Sequence, residues 1–185
     1  MLTAQIAEEK RTLLDRLAES ERSLITAAAG VPEQCAKVRP AEGCWSALDV
    51  VEHITLSDRG MWKRYLDAGP NTGSIGLNAD QFIQEVGRNR NAKRQAPEHV
   101  RPAGRFFSLA EALSEYRKSR GEVVAFVRAS SDNFREKLVK HPVAEMDGHQ
   151  LFLLMAAHSD RHAMQIDEIK KSAAYHAAFN QKAAS

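Results

Sequence analysis

The chain of 185 residues holds only two cysteines, Cys35 and Cys44, which lack C-x-x-C spacing and have no further thiols to join. A disulfide framework and a structural zinc knuckle are therefore excluded, and the pair fits a reducing cytoplasm. The opening M-L-T-A-Q-I-A-E-E-K-R contains no uninterrupted apolar segment, so no secretory signal is read there. The longest strongly apolar run, Leu151 to Ala157, falls far short of the roughly 20 residues that span a bilayer. A cytoplasmic protein with no membrane partner is the expectation. Charge of one sign is also missing: a net charge of +2 argues neither for nor against nucleic acid. Strand signals are scarce, since no alternating apolar run has turn residues on both sides.

What is present suits one domain over residues 1–185, with 43% apolar and 27% charged residues. From Thr3 to Ala29 a helical stripe is carried by Ile6, Leu13, Leu17, Leu24 and Ala28, and Gly30 followed by Val31-Pro32 ends this first helix. A second helix starts in W-S-A-L-D-V-V-E-H-I, with Ser46 as N-cap, Asp49 at N3 and Trp45 stapling onto Val50. Val50, Ile54, Ser57 and Met61 line one face of it, His53 lies within that face, and Gly69-Pro70 stops it. A third begins at Ser108, with Glu111 at N3, buries Leu109, Leu113, Tyr116 and Val123, and frays near Ser130. Between the second and third lie residues 70–107, with a short helix expected over Ala79–Val86. Phe134, Leu138 and Val139 read as a short helical turn, and the tail from Ala173 as a helical extension or a frayed end.

The stretch from Asp147 to about Lys171 reads as a fourth helix, roughly 35 Å long at 1.5 Å per residue. Asp147 is its N-cap, Gln150 stands at N3, and Met146 with Leu151 forms a staple. Leu151, Leu154, Met155, Ile166 and Ile169 give it a core face, and His158, His162 and Gln165 fall on that same face. Buried polar groups need partners, because each one left unpaired costs about 1–3 kcal/mol. Two readings stay open at this point: a hydrogen-bonded core pair, or two imidazoles at i and i+4 aimed at one cation. With seven histidines in the chain, H-x-x-x-H spacing alone is weak evidence for the second.

The combination of motifs is more specific. W-S-A-L-D-V-V-E-H on the second helix, a long crossover, an H-P-x-x-x-M-D-G loop and H-S-D-R-H-A-M-Q-I on the fourth together resemble the DinB/YfiT-like superfamily. The resemblance spans nearly the whole chain. It implies an all-α fold: a four-helix bundle in up-down-down-up order with a long crossover between helices two and three, often as a homodimer. It also implies a divalent metal, zinc or nickel, held by His53, His158 and His162. The residue pattern is compatible, because His53 and the later pair each lie on the core face of their helix, as bundle metal sites require. Three neutral ligands would leave a coordination position open and the full charge on the ion.

Activities in the superfamily include thiol S-transferases that use bacillithiol, mycothiol or glutathione, a mycothiol-dependent isomerase, a part of ergothioneine-forming enzymes, and metal-dependent hydrolases. The function implied is a metal-dependent enzyme, a thiol S-transferase or hydrolase, that presents an activated thiol or water to a small-molecule substrate. A low-molecular-weight thiol is a second candidate cofactor. The alternative is a non-catalytic stress-response binding protein whose metal is structural or absent. Residues 88–105 carry six basic side chains (Arg88, Arg90, Lys93, Arg94, Arg101 and Arg105) against one acid, Glu98. They read either as a solvated crossover or as an electropositive lip for an anionic substrate or thiol. Nucleic acid is not expected, as aromatic interleaving and a recognised module are missing. His99, His141, His149 and His176 are expected in solvent, Asp49 and Glu52 as cap and surface residues, Trp62 and Tyr65 in the core. Gln165 is read as a partner that orients an imidazole or as a buried amide.

Overall fold

A computed structural model describes residues 2–71, 79–91 and 95–183. Six helices make up most of it: α1 (Leu2–Ala29), α2 (Ala47–Leu66), α3 (Ala79–Arg88), α4 (Leu109–Ala129), α5 (Gly148–Lys170) and α6 (Ala173–Ala183). The expected stretch 79–86 is helical and runs two residues further, and the tail is a separate helix rather than an extension of α5. Ser172 starts it, its hydroxyl accepting from the Tyr175 N–H at 3.2 Å.

The helix starts follow the local chemistry read from the sequence. Ser46 and Asp49 close a reciprocal box at the head of α2, at 3.2 and 3.0 Å. Asp147 and Gln150 do the same for α5, at 2.8 and 3.1 Å. Before α4 the Ser108 hydroxyl accepts from Glu111 N–H, but the Glu111 carboxylate reaches one residue further back, to Phe107 N–H. Each arrangement satisfies N–H groups that the first helical turn leaves without intrahelical acceptors.

Helix directions follow from the contacts at their ends. The α1 start lies by the α4 end, where Lys10 donates to Ser130 O at 2.6 Å. It also lies by the α5 start, since Arg135 bridges Glu9 and Asp147 at 2.9 and 3.0 Å. At the other end Lys170 donates to Ala27 O, so α1 and α5 are parallel. Tyr65, near the end of α2, packs against Phe126 near the end of α4 and against Phe152 in the first turns of α5. Hence α2 is parallel to α4 and antiparallel to α5. The order is up, down, down, up, with α4 packed against α1 and α2, and α5 against the same two. Two parallel neighbours joined in sequence require a connection as long as the bundle, which residues 70–107 supply.

One expectation needs correcting. Leu138 and Val139 are not helical: only Phe134–Glu136 forms a 3-10 turn, and the chain then enters a small antiparallel sheet. Its strands are β1 (Gly69–Pro70), β2 (Lys137–Lys140) and β3 (Glu145–Asp147), in that order, with Val139 opposite Met146. Strands of two to four residues are too short to show alternation, so the sequence carries no readable signal for them. The hairpin delivers Asp147 to the head of α5 and so fixes where that helix begins.

Apolar side chains fill the two ends of the bundle. One cluster includes Val50, Ile54, Tyr116 and Ile166. The other gathers Tyr65, Phe134 and Phe152, with Trp62 packed against it, so both aromatics of α2 expected in the core are found there. Arg120 lies at mid-height, fully buried. It pairs with Asp58 at 2.7 and 2.9 Å and donates to the hydroxyls of Ser20 and Ser159, so that one guanidinium on α4 ties down α1, α2 and α5. No helix among the described residues is long and apolar enough to cross a membrane.

Candidate metal centre

Because α2 and α5 are antiparallel neighbours, residues near the start of one meet residues near the end of the other. His53 on α2 faces His158 and His162 on α5, with ring centroids 5.3 and 4.8 Å away. One ring nitrogen from each lies within 4.8 Å of the other two, a group that can hold a metal ion. The bundle thus brings together all three histidines expected at the site.

Hydrogen bonds assign the tautomers of two rings. His53 Nδ1 lies 2.8 Å from Val100 O, and His162 Nδ1 lies 2.9 Å from Gln165 Oε1. Carbonyl oxygens only accept, so both Nδ1 atoms carry the proton and both Nε2 atoms present a lone pair. Arg90 donates to the same Gln165 oxygen, which fixes the orientation of the amide. Gln165 therefore acts as the imidazole-orienting partner that one of its two readings proposed. His158 Nε2 stands 3.0 Å from His162 Nε2, and its buried Nδ1 has no hydrogen-bond partner among the described residues.

Burial keeps these rings neutral. It lowers the pKa of His53 to about 4, partly countered by the bond to Val100 and reinforced by Arg161. His158 and His162 are held well below their ordinary value, first by burial and then by neighbouring imidazoles. Three neutral imidazoles whose nitrogens converge, two of them with the far nitrogen anchored on a carbonyl oxygen, suit a borderline-soft divalent ion. The donor set fits zinc or nickel on that ground.

Trp45 covers the histidines, its ring 4.7 Å from that of His53 and 6.3 Å from that of His162. The group forms part of the wall of a cavity of about 740 Å³ that Met61, Val86, Val100 and Leu154 also line. Cavities of this size are ordinary for small-molecule sites.

Several expectations change here. Glu52 is buried rather than exposed: its carboxylate accepts from the N–H groups of Ala103, Gly104 and Arg105 and from the Arg105 guanidinium. Gly104 has φ of +73°, a left-handed conformation that helps three successive N–H groups converge on one anion. Adjacent residues of α2 therefore hold one segment of the crossover, Glu52 at 103–105 and His53 at Val100. A carboxylate on a helix beside a histidine looks like a surface residue until its partner loop is known. His149 is buried too, close to Asp80, and burial lowers its pKa. His141 is half-buried on the cavity wall, while His99 borders the cavity in exposed surroundings and His176 is exposed. Asp49 is the cap residue it was expected to be.

The basic crossover is less uniform than its composition. Arg88 pairs with Asp160, Arg90 with Glu168 and Arg105 with Glu52, whereas Arg90 and Arg101 line the cavity. Lys93 and Arg94 lie outside the described residues. Two further arginines line the cavity from the helices themselves, Arg64 and Arg161. Arg64 was legible in principle, since it stands eleven residues, about three helical turns, after His53.

Comparison with known proteins agrees with this architecture. A solved structure with a TM-score of 0.55 is YfiT from Bacillus subtilis, described as a probable metal-dependent hydrolase with an unusual four-helix bundle topology. The likeness covers 89% of this chain and 87% of that one at 16% identity, and at that identity it concerns the fold alone. The uncharacterized protein YuaE of Bacillus subtilis (strain 168) is 27% identical over 146 residues, which are 77% of this chain and 87% of YuaE. The model of the DinB superfamily matches residues 16–166, most of the chain, and the protein belongs to that superfamily.

Proposed function

We propose that the protein is a metal-dependent enzyme, a hydrolase or thiol S-transferase, whose divalent ion is held by His53, His158 and His162. The observation that carries this reading is the convergence of three imidazole nitrogens, from two antiparallel helices, at the wall of a cavity large enough for a small organic substrate. An ion bound by three neutral ligands supplies Lewis acidity that lowers the pKa of a coordinated water or thiol.

The chain's own groups position and enclose. Val100 O and Gln165 Oε1 hold the His53 and His162 rings in the tautomer that leaves Nε2 unprotonated. Trp45 shields the imidazoles from bulk water and offers an apolar surface to a substrate. His141 accepts from Val143 N–H at its Nδ1, so its Nε2 carries a proton on the cavity wall and is a hydrogen-bond donor there. No carboxylate lines the cavity among the described residues, so the proton released on activation has no Asp or Glu acceptor there.

The test is direct. Freshly purified protein is analysed for zinc and nickel, then assayed with aryl esters and with glutathione, bacillithiol or mycothiol plus a generic electrophile. Stoichiometric metal and turnover, both lost in His158→Ala, are expected. Metal without turnover on any ester or thiol would favour the non-catalytic alternative, and protein without metal would sink the reading.

A further inference from the structure

The cavity wall is one-sided in charge. Four arginines line it (Arg64, Arg90, Arg101 and Arg161), and none of the chain's 24 acidic residues does so among the described positions. Elsewhere in this protein a guanidinium is usually paired: Arg16, Arg39, Arg59, Arg88, Arg105, Arg120 and Arg135 each meet a carboxylate. On the cavity wall Arg90 is also compensated, by Glu168. Arg64 and Arg101 are different. Each spends one N–H on a backbone carbonyl, Arg64 on Lys140 O at 3.2 Å and Arg101 on Ala96 O at 2.7 Å, and neither meets a carboxylate among the described residues.

From this we propose that the cavity takes an organic anion, a carboxylate or phosphate with an apolar body, whose charge is received by Arg64 and Arg101. Guanidinium donors left over after one carbonyl bond keep the fork that matches either oxyanion. The two come from unrelated parts of the chain, the last turn of α2 and the crossover after Pro97, so neither is there as the other's helical neighbour. Both are fixed by backbone acceptors, which lowers the ordering cost of binding. Apolar atoms of Trp45, Met61, Val86 and Leu154 provide the surface for the uncharged part of such a molecule. A cationic ligand meets the opposite field: the charge of Arg161 already lowers the pKa of all three histidines, and Arg64 adds to the lowering at His141. Of the two readings of the basic crossover, Arg101 supports the substrate-holding one, and the other described basic residues of that segment, Arg88, Arg90 and Arg105, each meet a carboxylate.

The proposal rests on the cavity's being the substrate site, and it names the substrate class for it. It is tested by binding, independently of turnover. Phenylphosphate, benzoate, benzamide and benzylamine are titrated by calorimetry into metal-loaded and chelator-treated protein, with metal content measured on each sample. Benzoate or phenylphosphate should bind at least about tenfold more tightly than benzamide, and benzylamine should bind more weakly still. Arg64→Gln and Arg101→Gln should each reduce that preference by roughly tenfold, and Arg64→Lys should keep part of it. A preference for one anion over the other assigns the charge class and supports the proposal. Equal binding of benzamide and the anions, or an anion preference that survives both Gln substitutions in folded protein, would overturn it. Failure to bind metal is a separate outcome: it removes the metal-dependent reading, whereas an Arg-dependent anion preference in that same metal-free protein leaves this proposal standing.

Discussion

Glu52 closes on Arg105 at 2.8 Å with its own carboxylate only 1% exposed, while three backbone N–H groups donate to the same two oxygens. Removing the carboxylate leaves those donors facing a space that water must fill. Glu52→Ala should cost about 2–3 kcal/mol of stability, since bonds to a charged acceptor are the stronger kind. Arg105 is 42% exposed, so Arg105→Ala should cost less, about 1 kcal/mol or under. The same crossover carries the Val100 carbonyl that orients His53. Glu52→Ala should therefore weaken zinc binding by roughly 10–100-fold as well, the usual effect of losing an outer partner of a ligand. Urea denaturation and a competitive zinc titration measure the two effects; unchanged zinc affinity would disconnect the loop from the site.

The buried ion pair at mid-bundle gives a larger effect. Asp58 and Arg120 are both fully buried, and Arg120 also bonds Ser20 and Ser159. Breaking such a pair from one side typically costs about 3–5 kcal/mol, because the other charge is left uncompensated. Asp58→Ala and Arg120→Met should each fall in that range. Arg120→Lys should recover little, since an ammonium cannot reproduce the two-pronged contact with Asp58 and the hydroxyls together. Replacing both residues, Asp58→Leu with Arg120→Met, should cost clearly less than the sum of the single changes. Additive losses in a denaturation cycle would show that the pair is not coupled.

A third expectation concerns the metal. Ligand that binds only the folded state stabilises it by about 2.7 kcal/mol at a hundredfold excess over Kd. For a chain of this length that is roughly 5–10 °C in Tm, at about 2–4 °C per kcal/mol. Zinc or nickel added to chelator-treated protein should raise Tm by that much. His53→Ala, His158→Ala and His162→Ala should each abolish the rise, whatever they do to the metal-free Tm. A Tm indifferent to both metals would argue against the site.

The parts of this molecule that sequence reveals are those encoded locally. Ser46 with Asp49 and Asp147 with Gln150 are four-residue signals, and they mark the start of α2 and α5 as expected. The three histidines were placed through their helix faces and a family resemblance, and α2 against α5 brings them together. What escaped depends on partners remote in sequence. Glu52 is buried by a loop some fifty residues away, and Arg120 is buried by contacts from three other helices. Nothing within a helical turn of either predicts that a charged side chain will be enclosed. The hairpin at 137–147 is not legible in the sequence for a different reason: strands of four and three residues cannot establish a period.

Close packing makes α3 sensitive to a single methyl group. A Cβ built on Gly87 would lie 2.7 Å from Ala157 Cβ and 3.1 Å from a Leu154 methyl, both on α5. Helix propensity alone would favour Gly87→Ala, by about 1 kcal/mol. Overpacking of this kind costs about 1–3 kcal/mol, so the substitution should be neutral to destabilising despite the better helix former. Gly87, Val86 and Leu154 all line the cavity, so displacing α3 should also alter its binding of small aromatic anions. Ala157→Gly should restore stability when combined with Gly87→Ala. A stabilised single variant would mean that α3 and α5 are less tightly packed than the structure has them.

Acid should destabilise the metal-free protein in two separate windows. Burial, helped by Arg64, lowers the pKa of His141 to about 4, and burial lowers that of His149 as well. The three buried imidazoles of the metal centre act in the same direction. In the unfolded chain all of them return to about 6.5. Between those limits the unfolded state binds more protons, so stability rises with pH. Their contribution is complete above pH ~6.5 and is lost as pH falls through the folded values. Asp80 belongs to a lower window: although burial opposes it, hydrogen bonds from Arg135 and Gln150 hold its pKa below the usual carboxylate range. That contribution persists until pH drops below about 4. Urea midpoints of the metal-free protein should therefore decline first between pH ~6.5 and ~5, before any carboxylate loss. His141→Gln should make that first decline shallower, whereas Asp80→Asn, which removes the charge that partly supports a protonated His149, should steepen it slightly and lower stability throughout. A midpoint that is level down to pH ~5 would show that these imidazoles take up protons in the folded protein as readily as in the unfolded chain.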